Sequence, residues 1–401
     1  MSAEISDTVK KTAWRGRAAA FLAGSFALVL FWTGLELTCG YLNNIRAHSR
    51  SSQAEEAPPA RRPAPRSYGL APAPPEKKKR LNREAGQPEG DTRMSYAELP
   101  NAPGEKPGRR TFRETCETRS GELIYDVKYV KDEFGRRVTP GEERKKAGRF
   151  LLLMGDSFIF GQGVAQNETL AAFLGGEMPH YRIYNYGVTG LMPGELLDWA
   201  RAITGAPELG EKSGTVLYFY DNRHISRNMG SFFDIGNWGA KKPYYFEDAS
   251  GRIRTEGTQA ETRPLRTLLA KLYARSAVFR YFRLDFPGKP RKADWLFEVK
   301  LLRQLREAAR GFGADKFLVV LYPDNPGEQL TPYLEEARIA YIDLSRWKMG
   351  DLTEGPPGIR GDGHPTPESN KVLAHALAPL IERAAEPDQR PPGLTAARSR
   401  P

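Results

Sequence analysis

Five short apolar runs, separated by polar and helical stretches, constrain the fold of this 401-residue chain more than any other feature. Each run is rich in β-branched or aromatic residues and is bounded by polar residues, as in a buried strand. Between the third and fourth runs, Trp295, Val299, Leu302 and Leu305 recur at helical spacing. Strands that alternate with helices indicate an α/β fold whose parallel sheet is covered on both faces. The runs are residues 150–154, 181–185, 215–220, 316–322 and 339–344.

Polar residues follow these runs, at the sheet edge where ligands bind in open parallel sheets. Ser157 follows the first run, Gly190 the second and Asn222 the third, while Asp362 and His364 lie beyond the fifth. A serine, amide donors and an Asp/His pair supply the nucleophile, oxyanion donors, general base and orienting carboxylate of acyl transfer. The pattern therefore predicts chemistry through a serine ester.

These blocks resemble those of the SGNH (GDSL-like) esterase and acyltransferase superfamily, over essentially the whole of residues 112–385. By that resemblance, Ser157 is the nucleophile, His364 the base and Asp362 its orienter. The backbone N–H groups of Ser157 and Gly190, with the side-chain amide of Asn222, form the oxyanion hole. The resemblance also implies a flavodoxin-like three-layer α/β/α sandwich with a parallel sheet of about five strands, and no metal or organic cofactor.

The chain departs from the family pattern in two blocks. The third block usually reads Gly-x-Asn-Asp, whereas residues 220–223 read Tyr-Asp-Asn-Arg and keep only the asparagine. Asp362 precedes His364 by two residues instead of three, a spacing that also occurs in glycan acetyltransferase-like members. Taken alone, Ser157 is also compatible with a helix cap. Asp156 and His224 lie near the predicted site, and structural and substrate-contact roles are both open for them.

An apolar stretch near the N-terminus predicts a membrane anchor. Residues 18–35 contain no charged residue and as a helix would span about 27 Å. They predict a transmembrane signal anchor over 18–42 that contacts membrane lipid, with 1–17 cytoplasmic and the domain periplasmic or otherwise extracytoplasmic. A cleaved signal peptide is the alternative, but Glu36 and Leu37 stand where small residues should precede cleavage. The predicted orientation follows from four cationic residues that precede the stretch, because such residues stay on the cytoplasmic side: Lys10, Lys11, Arg15 and Arg17.

Composition divides the rest of the chain into a linker, a domain and a tail. Residues 51–110 hold 11 of the 31 prolines and few large apolar residues, so 43–111 is predicted to be a disordered basic linker. Residues 112–385 form the catalytic domain, and 386–401 are predicted to be a disordered tail. Residues 225–292 form an insertion rich in aromatic residues, which either hold a glycan or form a small core of their own.

Composition also excludes several function classes. Two cysteines, Cys39 and Cys116, cannot build a disulfide framework or a zinc-ribbon or iron–sulfur site. The net charge of +11 is compatible with binding to nucleic acid, but no nucleic-acid-binding module is recognised in the sequence. We therefore do not expect the protein to bind nucleic acid. The sequence therefore predicts an esterase acting on O-acyl groups of envelope or exported glycans, or on lipid esters. An O-acyltransferase using the same site and a non-catalytic glycan-binding or assembly protein are the alternatives.

Overall fold

A parallel β-sheet forms the centre of the protein. A computed structural model describes residues 25, 28–43, 92–99, 108–118, 120–141, 146–203, 209–282, 284–323, 329–385 and 394–395. The strands are β1 Thr92–Leu99, β2 Arg110–Thr118, β3 Leu123–Lys131, β4 Arg149–Gly155, β5 Tyr181–Gly187, β6 Gly214–Tyr220, β7 Pro243–Glu247, β8 Ile253–Thr258, β9 Ala314–Leu321, β10 Ala340–Asp343 and β11 Leu394–Thr395.

The five predicted strands are confirmed as β4, β5, β6, β9 and β10 of this sheet. Their spatial order is β10-β9-β6-β4-β5, with the two-residue β11 added beside β10, and every neighbouring pair is parallel. Numbered along the chain, the five strands follow the order 2-1-3-4-5 of flavodoxin-like sheets. The chain reverses direction across the sheet between β4 and β6, so a crevice is expected at their carboxyl ends.

Helices cover both faces of the sheet, because successive side chains of a strand point to opposite faces. On β4, Phe150, Leu152 and Met154 join one apolar core with residues of α4 and α10. Leu151 and Leu153 join a second core with residues of α3 and α13 on the other face. The helices are α1 (residues 28–43), α2 Ser157–Phe160, α3 Leu170–Glu177, α4 Pro193–Ile203, α5 Asn222–Met229, α6 Phe232–Asn237, α7 Gln259–Thr262, α8 Pro264–Arg275, α9 Ala277–Phe282, α10 Lys292–Gly311, α11 Thr331–Glu336, α12 Met349–Leu352 and α13 Pro367–Ala385.

Helix α10 buries one charged residue along with its apolar stripe. Glu298 is fully buried, and Asn228 donates a hydrogen bond of 2.5 Å to its Oε2 atom. Within the described residues, the other carboxylate oxygen has no hydrogen-bond partner. Burial raises the pKa of Glu298 from 4.5 to about 7, although the hydrogen bond from Asn228 acts in the opposite direction. The folded protein therefore binds this proton more tightly than the unfolded chain does.

The raised pKa of Glu298 makes stability depend on pH. Stability is expected to fall as pH rises from about 5 to 7 and to stay at the lower value above that range. Glu298→Gln removes the free-energy cost of burying an ionised carboxylate. This variant should therefore be about 3 kcal/mol more stable than wild type at pH 8 and equal to it at pH 4. Urea denaturation at both pH values measures the effect. The exposed Glu307, on the same helix, gives the control Glu307→Gln, and equal pH profiles for both variants would contradict the assignment.

A small antiparallel sheet, which the sequence did not predict, precedes the central one. Its order is β1-β2-β3, and β1 lies within the segment 43–111 that was predicted to be a linker. Residues 44–91 and 100–107 of that segment, and residues 1–17, lie outside the described residues. So does the predicted tail, apart from the two residues of β11.

The prediction of a transmembrane helix is wrong for the part of the chain that the structure describes. No helix there combines the length and apolar character needed to cross a bilayer. The described helix α1 is about 24 Å long and carries Glu36, whose carboxylate accepts hydrogen bonds from the Ser276 hydroxyl and, at 2.5 Å, from the Ala277 N–H. Asn43 donates to the Ala277 carbonyl at 3.3 Å. Polar groups of α1 thus bind the start of α9, and the extracytoplasmic location stays a prediction.

Candidate active site

The predicted nucleophile lies at a tight turn between β4 and α2. Ser157 is the first residue of α2, and the Asp156 side chain caps this helix by accepting from the Phe158 N–H at 3.0 Å. An amide at this first helical position has no intrahelical acceptor. A side chain at Gly155 would lie 2.5 Å from an Ile159 side-chain atom, so the turn requires glycine there. The Gly-Asp-Ser sequence therefore places the serine at the carboxyl end of β4: Gly155 allows the close approach to Ile159, and Asp156 caps the helix that Ser157 begins.

His364 contacts the hydroxyl of Ser157. Its Nε2 atom lies 2.8 Å from Ser157 Oγ, and its Nδ1 atom is hydrogen-bonded to Asp362 Oδ2. Ser157 and His364 are each only 7% exposed, so bulk water surrounds neither group. The Phe158 ring packs edge-on against the imidazole with 5.4 Å between centroids, which fixes the ring plane. The structure thus places serine, histidine and aspartate in one hydrogen-bonded row.

The short spacing between Asp362 and His364 has a conformational basis. The intervening Gly363 has a φ of +89°, in the left-handed region that favours glycine. The N–H groups of Asp362 and Gly363 donate to the Ile359 carbonyl at 3.1 and 2.7 Å, and the Ile359 N–H donates back to the His364 carbonyl at 2.7 Å. This closed loop brings the carboxylate to Nδ1 with only one intervening residue instead of two.

Gly190 and Asn222 follow the two strands that flank β4, which are β5 and β6. Gly190 follows β5 and has a φ of +59°, and a Cβ there would lie 3.3 Å from the Trp238 ring. Asn222 begins α5 directly after β6. Among the described contacts, no hydrogen bond joins either residue to Ser157. The structure therefore brings all five predicted residues to one sheet edge, with direct contact shown for Ser157, His364 and Asp362.

Asp156 is buried, and the side chains of two arginines and a histidine surround it. Its Oδ2 atom lies 3.3 Å from Arg227, 3.5 Å from Arg223 and 3.7 Å from the Nε2 atom of His224. Burial by itself raises the pKa of Asp156, but the nearby imidazole and the two guanidinium groups outweigh it and hold the pKa well below its usual range. Asp156 is therefore a carboxylate that anchors the turn before Ser157.

Arg227, which the sequence analysis missed, connects the two loops that carry the predicted oxyanion donors. The same Nη1 atom donates to Asp156 at 3.3 Å and to the Leu191 carbonyl at 3.2 Å. Asp156 precedes Ser157, and Leu191 follows Gly190. The pairing of Arg223 and Arg227 at i and i+4 on α5 was the signal in the sequence, since it places both guanidinium groups near one helix face.

Arg223 lies where the resemblance to the SGNH pattern leads us to expect an aspartate, and it has partners of its own. Its Nε atom donates to Asp221 Oδ1 at 2.9 Å. The guanidinium also lies over the Phe158 ring, 4.4 Å from its centroid. Arg223 thus places a cation beside Phe158, the residue that follows Ser157.

Two residues, Tyr129 on β3 and Arg137 shortly after that strand, hold the loop that follows α2. Arg137 is 1% exposed and donates to the carbonyl groups of Phe160 at 2.9 Å, Val164 at 2.8 Å and also Gly161. Burial lowers the pKa of Arg137 to about 10, against the attraction of nearby acidic groups. Tyr129 contributes a hydroxyl that accepts from the Gly163 N–H at 2.9 Å. Among the described residues, no group of His, Cys, Asp and Glu is placed to hold a metal ion.

Comparison with known proteins yields structural neighbours at low similarity. Neither a protein-family model nor a curated protein matches the sequence. The chain is similar to a member of the lipolytic G-D-S-L family from Veillonella parvula, at 13% identity and a TM-score of 0.36, covering 59% of this chain and 99% of that one. It is similar to a lipase/acylhydrolase from Enterococcus faecalis at 11% identity and a TM-score of 0.31, covering 60% and 99%. A catalytic mutant of an acetylxylan esterase from Geobacillus stearothermophilus matches at 12% identity and a TM-score of 0.28, covering 63% and 98%. Likeness at these scores assigns no role to any residue of this chain.

Proposed function

We propose that this protein is a serine esterase that acts on O-acyl groups. The observation that supports the proposal is the 2.8 Å contact between Ser157 Oγ and His364 Nε2, with Asp362 on the other ring nitrogen. A serine hydroxyl becomes a good nucleophile when a neighbouring base accepts its proton and a third group orients that base. The three side chains have the contacts that this chemistry needs.

The reaction has two steps in this proposal. His364 accepts the proton of Ser157 Oγ as that oxygen attacks the ester carbonyl, and the resulting imidazolium returns the proton to the departing alcohol. Water then loses a proton to His364 and attacks the acyl-serine. His364 returns this proton to Ser157 Oγ as the bond to the acyl group breaks, which releases the acid and restores the serine hydroxyl. Asp362 holds the imidazole in one tautomer and stabilises its charged form. In both steps the negative oxygen is bound by the N–H groups of Ser157 and Gly190 and the Asn222 amide.

Labelling with a fluorophosphonate tests the nucleophile directly. The reagent should phosphonylate Ser157 with loss of fluoride, giving a single mass increase of the full chain that peptide analysis assigns to this residue. His364→Ala should slow labelling strongly. Ser345→Ala is the matched control, since Ser345 is also buried and donates to Asp343 at 2.5 Å. Labelling at another residue, or none, would contradict the esterase proposal and leave the non-catalytic binding protein as the remaining candidate.

The acceptor and the substrate class need a separate measurement. An acylated oligosaccharide and a lipid ester, each incubated with the full chain, distinguish a glycan esterase from a lipid esterase by the product released. We propose the glycan ester as the substrate.

An unacylated oligosaccharide added to the same reaction tests acyl transfer to a sugar. A sugar hydroxyl that replaces water would give a newly acylated sugar, which mass spectrometry detects.

Loss of the Asn222 amide is expected to slow the reaction without preventing binding. One oxyanion donor is worth about 3 kcal/mol in the transition state, so Asn222→Ala should lower kcat by about 100-fold to 1000-fold with little change in KM. Steady-state hydrolysis of p-nitrophenyl acetate measures both constants. Asn237→Ala is the control, because Asn237 is exposed and its side chain contacts only its own helix. A loss confined to KM would remove Asn222 from the oxyanion hole.

A further inference from the structure

A cavity of about 520 Å³ lies beside the loop that carries Gly190. One wall comes from the small antiparallel sheet and the other from α4 and the residues that follow β5. The Val188 N–H donates to the Gly155 carbonyl at 3.0 Å, so this wall is attached to the turn that holds Ser157. Its lining includes Arg110, Phe112, Lys131, Val188, Thr189 and Trp199.

Lys131 is a cation at this cavity with no anionic partner among the described residues. Its side chain is half-buried, and its Nζ atom lies 5.4 Å from the ring centroids of both Phe112 and Phe160. In the described part of the chain, no carboxylate forms an ion pair with it. A partly buried ammonium group gains free energy from an anion that replaces lost water.

The surroundings of Lys131 leave its charge uncompensated. Burial lowers the pKa of Lys131, and the charges of Lys242 and Arg137 act in the same direction, whereas Glu114 opposes them. Glu114 itself is buried and accepts a hydrogen bond of 2.8 Å from Gln162. The local potential around the lysine is therefore positive.

The other charged groups of the cavity do not alter this balance. The Asp132 carboxylate accepts hydrogen bonds from the Arg136 Nε atom at 2.7 Å and from the N–H groups of Phe134 and Arg136, so its charge is already paired. Glu133 lines the cavity as an exposed residue, and Arg110 adds a second positive charge. The exposed Glu133 is screened by solvent, so it offsets little of the charge on the half-buried Lys131.

Two aromatic side chains line the cavity, Phe112 on the wall formed by the antiparallel sheet and Trp199 on the wall formed by α4. Phe112 lies under Lys131, and Trp199 is held edge-on against Tyr186 with 5.7 Å between ring centroids. Apolar walls with a few charged groups at fixed positions are typical of small-molecule sites, and the volume is within their usual range of about 300–1,000 Å³. An aromatic face beside a cation matches a sugar ring that carries a carboxylate.

We propose that this cavity binds an acidic sugar unit, with the carboxylate at Lys131 and the ring against the aromatic side chains that line the two walls. The inference rests on the proposed esterase function and narrows its substrate to O-acylated acidic glycans. The unit in the cavity would be part of the same chain as the sugar whose ester reaches Ser157.

Binding of unacylated trisaccharides to the full chain tests the site without requiring turnover. The probes are trimers of galacturonate, glucuronate and mannuronate, each paired with the trimer of the corresponding neutral hexose. At least one acidic trimer should bind about 10-fold or more tightly than its neutral partner in isothermal titration, as expected for a charged hydrogen bond. Equal affinity in all three pairs, including absence of binding, would overturn the proposal.

Variants of two lysines on β3 separate the site from general charge effects. Lys131→Met should weaken binding of the preferred acidic trimer about 10-fold and leave the neutral trimer unchanged, whereas Lys131→Arg should retain most of the preference. Lys128→Met is the matched control, because Lys128 is exposed on the same strand and outside the cavity. Equal losses in Lys131→Met and Lys128→Met would contradict a specific site.

Two further outcomes identify which proposal fails. Fluorophosphonate labelling of Ser157 without any preference for acidic trimers would reject the cavity assignment and leave the esterase intact. A preference for acidic trimers that depends on Lys131, without labelling of Ser157, would reject the esterase and leave the cavity assignment intact.

A carboxylate on the acyl group, instead of on the sugar, is the other possible source of the negative charge that Lys131 binds. A higher kcat/KM for the p-nitrophenyl half-ester of succinate than for the acetate, lost in Lys131→Met, would assign the cavity to the acyl chain and overturn the sugar site.

Discussion

Replacing Ser157 with alanine is expected to lower kcat for p-nitrophenyl acetate by at least about 10⁴-fold. The variant removes the oxygen that contacts His364 Nε2 at 2.8 Å and leaves the fold with one hydrogen bond fewer. Because the acyl-serine cannot form, only the weak contribution of the oxyanion donors remains. Initial rates at saturating ester, measured against the rate without enzyme, give the effect.

The expected loss must be distinguished from a loss of structure. Thermal unfolding of Ser157→Ala should match that of wild type within a few degrees, since a single neutral hydrogen bond contributes only about 1 kcal/mol. Ser345→Ala serves as the activity control because its hydroxyl belongs to a loop that follows β10. Undiminished hydrolysis by Ser157→Ala would exclude this residue as the nucleophile.

Arg137→Met is expected to destabilise the protein by about 3–5 kcal/mol. The guanidinium binds carbonyl groups of the loop after α2, with Nη2 donating to Val164 at 2.8 Å and Nε to Gln166 Oε1 at 3.1 Å. Methionine fills most of the volume but donates no hydrogen bond, so these buried acceptors lose their partner. The midpoint of urea unfolding, with an unchanged m value, measures the loss.

An exposed arginine provides the comparison. Arg149 forms an ion pair of 2.9 Å with Asp315, and both side chains are more than a third exposed. Solvent screens such pairs, so Arg149→Met should cost less than about 1 kcal/mol. Similar losses in the two variants would show that the contacts of Arg137 with the loop carry no special weight in stability.

The sequence predicted the parts of the fold in which apolar residues are continuous. The five strands of the central sheet are buried on both faces and so read as unbroken apolar runs. The residues after these runs have the polar groups that acyl transfer needs, which is why Ser157 and His364 could be proposed as neighbours although 207 positions separate them. Periodicity and strand-end chemistry were sufficient for this part of the site.

Other parts gave no such signal. Strands β2 and β3 interrupt their apolar residues with charged ones and so resemble the polar sequence before them. The charged residues include Arg113, Glu114, Asp126 and Lys128. The buried role of Arg137 depends on carbonyl groups that only the folded loop presents. Residues 18–42 were interpreted from their apolar character and the residues that flank them, which do not reveal that the Glu36 carboxylate has partners in α9.

Arg227 has a consequence for how the rate of such an enzyme can be altered. Its guanidinium sets the separation between the segment preceding the nucleophile and the segment following Gly190, yet no described contact joins it to Ser157. Substitutions around α5 that shift this one group would misalign the amide donors while leaving the hydroxyl and its base in contact. Turnover could thus be adjusted from a buried position behind the reacting atoms, with the intrinsic reactivity of the serine retained.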